Sequence, residues 1–328
     1  MKVETFSICF SSIAAAFFTA LLIMPASAAR KQQNAAKKEQ RAEKNETLCR
    51  LLMVTFIDVG QGDCELIQTP DGKTILIDAG SGGIGWNPFD AGTELVVPFL
   101  RKMLIKKFDY IVMTHPHSDH IGGIRAVVDK FDVGMLVDNG FPPEEPDYEE
   151  IMKIAEKKNI PLMTVKAGDV LDWDKYCTFK VLNPPDKFIM NESRTNENSI
   201  VIKLTYKEIS FLFTGDAENE AGRIMVKRFR NDLLCTVMKV SHHGSRNSLT
   251  KKWFLDWSQP VIAVICVGQN SWGHPDPASI SHLHAYGTHV YRTDKDGNVQ
   301  IITDGKKYKT KFIHFEDEEE KRYGGGAQ

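Results

Sequence analysis

Three histidines and an aspartate crowd six positions directly after the apolar run YIVM: His115, His117, Asp119 and His120. These are the side chains that hold a transition metal, neutral imidazole with carboxylate. A polar surface turn is the bland alternative, but such a turn needs no concentration of ligating types. A short loop cannot wrap all four side chains round one ion. His115 and His117, two positions apart, can face one cation, while the adjacent Asp119 and His120 turn toward another. The spacing predicts a binuclear site, and two-metal sites serve hydrolysis and phosphoryl transfer.

Further ligands are expected just past the ends of other apolar runs. FLFTGD sets Asp216 after a stretch that reads as a buried strand, where its two oxygens could bridge two cations. The competing role is an N-cap for the helix that starts near Glu218, a position Asp also suits. VSHHGS sets His242 and His243 at another strand end. A lone histidine there would read as a satisfied core residue. Two together, in a chain already carrying the 115–120 cluster, read as ligation. His242 is expected to be the ligand, with His243 touching substrate or supporting the ligand.

The surrounding pattern supplies the elements that must position these residues. LLMVTFIDVG, CELIQT and KTILIDAG read as strands, with turns at TPDG and GSGG. ELVVPFLRKML reads as a helix, DYIVMT as the buried strand feeding the histidine loop, IRAVVDKF as the helix after it. GMLVDNG is a strand and DYEEIMKIAEKK an amphipathic helix. A second series follows: CTFKVLNPP, SIVIKLTY, ISFLFTGD, the helix ENEAGRIMVKRF, then CTVMKVSHHG, VIAVICVG, HVYRTD and NVQIITD. Clustered strands with intervening helices predict an α/β fold of two packed sheets flanked by helices, the second half echoing the first.

Composition bounds the rest. The chain has 328 residues, 42% hydrophobic and 26% charged, which suits a globular fold with a sizeable core. A net charge of −2 gives no global field that recruits nucleic acid, so any phosphate grip must be local. Lys239, Arg246, Lys251 and Lys252 flank the HHG motif and could form such a rim; a solvated charged face is the alternative.

At the N-terminus, Lys2, the apolar run at 13–24 and Ala26-Ser27-Ala28 read as a signal peptide over residues 1–28. The mature protein is then secreted; the alternative is an uncleaved anchor. Residues 29–47 form a charged linker, 48–315 the hydrolase domain, and 316–328 an acidic, glycine-ended tail. Of six cysteines, five remain after residue 28, none in CxxC spacing, which excludes a disulfide scaffold and a zinc ribbon. Cys64, Cys235 and Cys266 lie in apolar runs and read as core.

THPHSDHIGG resembles the HxHxDH motif of the metallo-β-lactamase fold superfamily, and TGD and SHHGS resemble its later metal motifs. FIDVGQGDCELI, ILIDAG, NENSIVIKL, GHPDP and VYRTDKDGNV extend the likeness over nearly all of residues 51–305. Together they resemble the hydrolase domain of the ComEC/Rec2 DNA-uptake proteins. HxHxDH alone marks the superfamily; DVGQGD with NENS and HHGS is far more specific. The resemblance implies an αββα sandwich with the metals at one edge between the sheets. His115 and His117 would hold one metal, Asp119, His120 and His242 the other, and Asp216 would bridge. Asp78 would support the metal loop from within. Asp58, Gln61 and Asp63 would line the site's edge, Asn198 of NENS would stand close by, and His274 would approach from the last loop.

One position departs from the pattern. Many superfamily members place a third histidine for the first metal between the histidine loop and TGD, where this chain has Asn183. An amide oxygen is a poorer ligand than imidazole, so the first site should load more weakly.

Two divalent cations, zinc first and manganese second, would ionise a shared water near neutral pH and stabilise charge on the attacked group. Asp119 would handle the nucleophile's proton, and His243 or His274 would donate a hydrogen bond to the oxyanion. The resemblance points to phosphodiesters, DNA foremost. Carbonyl hydrolysis by a lactonase or β-lactamase is the alternative chemistry, and a metal-depleted nucleic-acid- or partner-binding domain the alternative without catalysis.

Overall fold

The structure is a computed structural model that describes residues 50–83, 89–143 and 145–314. The expected signal peptide, charged linker and acidic tail lie outside the described residues. From the first half come β1 (Leu52–Phe56), β2 (Glu65–Gln68), β3 (Thr74–Ile77), β4 (Lys107–Phe108), β5 (Tyr110–Val112), β6 (Asp132–Val133), β7 (Leu136–Asp138) and β8 (Leu162–Thr164). The second half adds β9 (Val170–Leu171), β10 (Thr178–Asn183), β11 (Val201–Tyr206), β12 (Ile209–Phe213), β13 (Val237–Lys239), β14 (Ile262–Ile265), β15 (His289–Arg292), β16 (Asn298–Thr303) and β17 (Tyr308–Ile313).

Two large sheets result. One runs β17-β16-β1-β2-β3-β5-β7-β8, the other β15-β14-β13-β12-β11-β10-β9, and β4 pairs with β6 alone. The halves therefore do not simply echo one another. The last two strands return to the first sheet, where β16 pairs antiparallel with β1.

The strand period of two decides the layering. Ile75 and Ile77 point into a core shared by the two sheets, while Leu76 between them points outward to a second core under helices. In β12, Phe211 and Phe213 point inward and Leu212 outward. Phe56 meets Phe213 across the sheets, ring centroids 6.2 Å apart.

Helices cover both outer faces. Over the first sheet lie α1 (Val97–Lys102), α2 (Ser118–Ile121), α3 (Ile124–Lys130) and α4 (Pro146–Lys158). Beyond them in the chain come the short α5 (Arg194–Glu197), then α6 (Asn219–Phe229), α7 (Lys252–Ser258) and α8 (Pro277–Ala285), the last three packed on the second sheet. The expected four-layer α/β sandwich is observed.

Several elements escaped the sequence pattern. β17 reads YKTKFI, and its alternating lysines protect a sheet edge while hiding the strand signal. Helices α7 and α8 are 7 and 9 residues long, too short for a clear period. The cysteines at 64, 177, 235 and 266 are buried and free. Among the described residues, no helix is long and apolar enough to cross a membrane.

Candidate metal centre

The site gathers at the carboxyl ends of parallel strands from both sheets, where the chain turns outward and side chains can converge. β3 and β5 are parallel and lead to Asp78 and to the histidine loop. β12, β13 and β14 are parallel and lead to Asp216, to His242-His243 and to the loop before α8.

Asp216, 2% exposed, lies at the centre. Its Oδ1 is 3.2 Å from His120 Nε2, and its Oδ2 is 4.0 Å from His115 Nε2, 3.9 Å from His242 Nε2 and 3.7 Å from His243 Nε2. It does not cap a helix: the N-cap of α6 is Glu218. Asp119 Oδ2 stands 3.2 Å from His243 Nε2. His117 Nδ1 meets His115 Nε2 at 3.0 Å. All six expected ligands, with His243, thus reach one spot.

The order of the adjacent histidines differs from expectation. His243, not His242, joins His120 and Asp63 in a group whose ligand atoms lie within 4.8 Å of one another. Its Nδ1 is 2.8 Å from the Cys266 carbonyl, which fixes the ring and aims Nε2 at Asp119. His242 turns instead toward the cavity, its Nδ1 2.7 Å from Glu218 Oε1. Both histidines have left-handed backbones, φ 48° and 50°, a strained pairing for side-chain-bearing residues. That double turn makes two neighbours in sequence face different surroundings.

The supporting residues also sort differently from expectation. Asp78 is the buried support foreseen: it accepts from Thr114 N at 2.9 Å, Thr114 Oγ1 at 2.6 Å and lies 2.8 Å from His120 Nδ1. Gln61 lines the cavity and takes a hydrogen bond from Gly268 N. Asp63 is not at the edge; it is buried beneath the site and paired with the equally buried Lys239. Lys239 is therefore no phosphate-binding rim, because its ammonium is committed inside, also donating to Gly215 O at 3.1 Å. Asp58 stands back from the cavity, where its carboxylate accepts from Gly60 N. Close packing explains the second glycine of DVGQGD: a Cβ on Gly62 would sit 2.2 Å from the Asp119 carbonyl oxygen.

Asn183 and Asn198 both brace loops through their amides. Asn183 Nδ2 donates to Glu197 O and Ser199 O, each at 2.8 Å. Asn198 holds the Ile189 backbone from both sides. The amide of NENS that does face the cavity is Asn196, 3.5 Å from His242 Nδ1. Glu197 accepts from the backbone of Glu218, Glu220 and Ala221 and so caps α6 from a distant loop. Glu218, Asn196 and Lys239 in these roles were missed. A carboxylate two positions past Asp216 was the available signal for Glu218.

Electrostatics follow from burial opposed by charge. Burial, aided by the neighbouring His120 and His117, holds His115 well below the usual imidazole value. Burial lowers His117 too. On His120, burial is overcome by Asp216 and Asp63, and its pKa rises well above the ordinary one. On His243 burial is likewise overcome, by Asp216, by the hydrogen bond to Asp119 and by the neighbouring Asp63, and the pKa is pushed up to about 10.

The donor set suits a cation. His120 Nε2, Asp216 Oδ1 and Asp63 Oδ1 are buried without a hydrogen-bond partner among the described residues. Buried polar atoms left so are costly, and those of His120 and Asp216 converge where ligation would satisfy both. Beside them opens a cavity of about 540 Å³, walled by His117, Asp119, His242, His274 and Trp272.

The sequence profile described as the metallo-beta-lactamase superfamily matches residues 57–268. The chain belongs to that superfamily. Its members' fold is the one observed, and membership together with the clustered ligands supports a metal-dependent hydrolase. The chain is 33% identical to ComE operon protein 3 of Bacillus subtilis over 261 residues, covering 75% of this chain and 32% of that protein. It is 28% identical to competence protein ComA of Neisseria gonorrhoeae, over 76% of this chain and 32% of that one. It is also 28% identical to recombination protein 2 of Haemophilus influenzae, over 76% and 28%. The chain thus spans about a third of the length of these relatives.

Proposed function

We propose that this superfamily hydrolase is an exported, binuclear phosphodiesterase acting on nucleic acid. The observation that carries the reading is Asp216, buried among four imidazoles with an oxygen left unpartnered. Asp119, His120, Asp216 and His243 would hold one cation, and His115, His117 and Asp216 the other. Two divalent cations there, zinc or manganese, supply Lewis acidity and a nucleophile at neutral pH.

The chain's own groups divide the remaining work. Asp119, beside His243, would accept the proton of the attacking water. His242 faces the cavity from a ring oriented by Glu218. Burial opposes its charge, but Asp216 and Glu218 outweigh burial and raise its pKa, so Nε2 can donate to a phosphoryl oxygen. His274 stands beside it, ring centroids 5.3 Å apart, as a second donor to the substrate. Relatives named for competence and recombination favour nucleic acid over other phosphodiesters.

The deciding experiment sets bis-p-nitrophenyl phosphate, single- and double-stranded DNA and nitrocefin side by side, with metal content measured. Cleavage of the phosphodiesters is expected. Cleavage of nitrocefin alone would overturn the reading. Export rests on Ala26-Ser27-Ala28; N-terminal sequencing should start near Ala29, and full-length chain held in membranes would contradict it.

A further inference from the structure

The cavity wall carries one aromatic ring that the reaction itself does not use, Trp272. Trp272 lies on the loop between β14 and α8 and is 68% exposed. Its exposure does not come from a loose loop. Asn270 Nδ2 donates to Gly268 O at 2.9 Å and His274 O at 2.8 Å, while His274 N donates back to Asn270 Oδ1 at 3.0 Å. Gly268 packs so tightly on the DVGQG turn that a Cβ would meet the Gly60 carbonyl carbon at 2.3 Å. Beyond the loop, Asp276 N donates to Gly244 O at 2.9 Å.

This braced loop sets three flat rings in sequence. The His243 and His274 rings are 6.4 Å apart and inclined by 29°, and the His274 and Trp272 rings are 6.2 Å apart and inclined by 32°. The series runs from the metal centre to the mouth of the cavity. A tryptophan can bury about 150–250 Å². Here most of that face is held open, beside the position where a scissile phosphate would sit.

We propose that Trp272 is a stacking platform for an unpaired nucleobase flanking the scissile phosphate, so that the substrate is single-stranded nucleic acid. The inference rests on the phosphodiesterase reading and deepens it. Stacking on an aromatic ring accepts any base and requires that the base be free of its own duplex stack. A quaternary ammonium could also sit over the ring, but it favours an aromatic cage. The other neighbours of Trp272 on the cavity wall, Gln269 and Ser271, are an uncharged amide and a hydroxyl suited to a base edge. The cavity's carboxylates, Asp119 and Asp216, face imidazoles instead.

The test uses the full chain stripped of metal and reads tryptophan fluorescence and the anisotropy of labelled strands. Oligothymidylate should bind more tightly than an abasic strand of equal length. In Trp272→Ala that preference should fall by about 5- to 150-fold, the range expected for one stacked base, while Trp272→Phe keeps most of it. Equal or undetectable binding of both strands overturns the proposal. So does an undiminished preference in Trp272→Ala, a duplex bound as tightly as the single strand, or quenching by phosphocholine but not by oligothymidylate. Loss of the phosphodiesterase reading would show separately, as absence of phosphodiester cleavage by the metal-loaded wild type.

Discussion

His120 and His243 each commit one ring nitrogen to a fixed acceptor, Asp78 Oδ2 and the Cys266 carbonyl, both at 2.8 Å. Their other nitrogens are thereby aimed at Asp216 and Asp119. His115 and His117 are built differently. His115 Nδ1 has the Thr114 hydroxyl at 3.1 Å, and among the described residues His117 hydrogen-bonds only to His115. One half of the centre is braced by carboxylate and carbonyl, the other by a hydroxyl and by itself. Acceptors behind a histidine set its tautomer, its angle and its basicity. The braced half should therefore load metal more tightly. The unequal loading expected from Asn183 would then have a different cause, the unequal support behind the rings.

The largest effect is expected at the residue both halves share. Asp216→Ala should bring phosphodiester turnover to background and remove metal from both halves, with circular dichroism unchanged; retained turnover would show that the halves do not depend on a common carboxylate. Next come the adjacent histidines. His243→Ala should empty the braced half in elemental analysis, whereas His242→Ala should keep the metal and lower kcat by about 10²- to 10³-fold, as for one lost donor to transition-state charge. The reverse outcome would restore the order expected from sequence. Asp78→Asn should weaken metal binding in the braced half by about 10- to 100-fold, read by competition with a chelating dye.

A pH series sharpens the same contrast. In the metal-free protein the folded pKa of His243 is about 10, above its ordinary value, and His120 moves the same way. A raised folded pKa stabilises fully below the unfolded value and is lost as pH climbs through the folded one. The Tm of metal-stripped protein should therefore fall between about pH 6.5 and 10, and metal, which displaces these protons, should flatten that fall. A flat profile without metal would mean that the two rings are neutral. The smallest effect is expected at Asn183: Asn183→His should leave metal affinity unchanged and cost about 1–3 kcal/mol in urea unfolding, from the two carbonyls it stops bracing.

Much of this was legible in the chain. Apolar runs of four to six residues ending in His, Asp or Gly marked the buried parallel strands, because such strands are covered on both faces. The metal-ligating types at 115, 117, 119 and 120 announced themselves by density, and Asp216 by its place after a buried run. Lys239 misled because a lysine beside a metal motif looks like a phosphate contact, and only a buried carboxylate from β2's approach, Asp63, could turn it inward. Asn183 misled because its position in the order of motifs suited a ligand.

By itself, then, the amino-acid sequence determined the strand and helix periods, the layered α/β class and the set of ligating side chains, since these depend on residue type and on spacing within a segment. Tertiary structure decided which histidine of an adjacent pair faces Asp119, which asparagine of NENS reaches the cavity, and where Asp63 and Lys239 meet. Those outcomes turn on two consecutive left-handed residues and on contacts between strands more than a hundred residues apart. No local pattern encodes the direction in which a side chain points once such strands are packed.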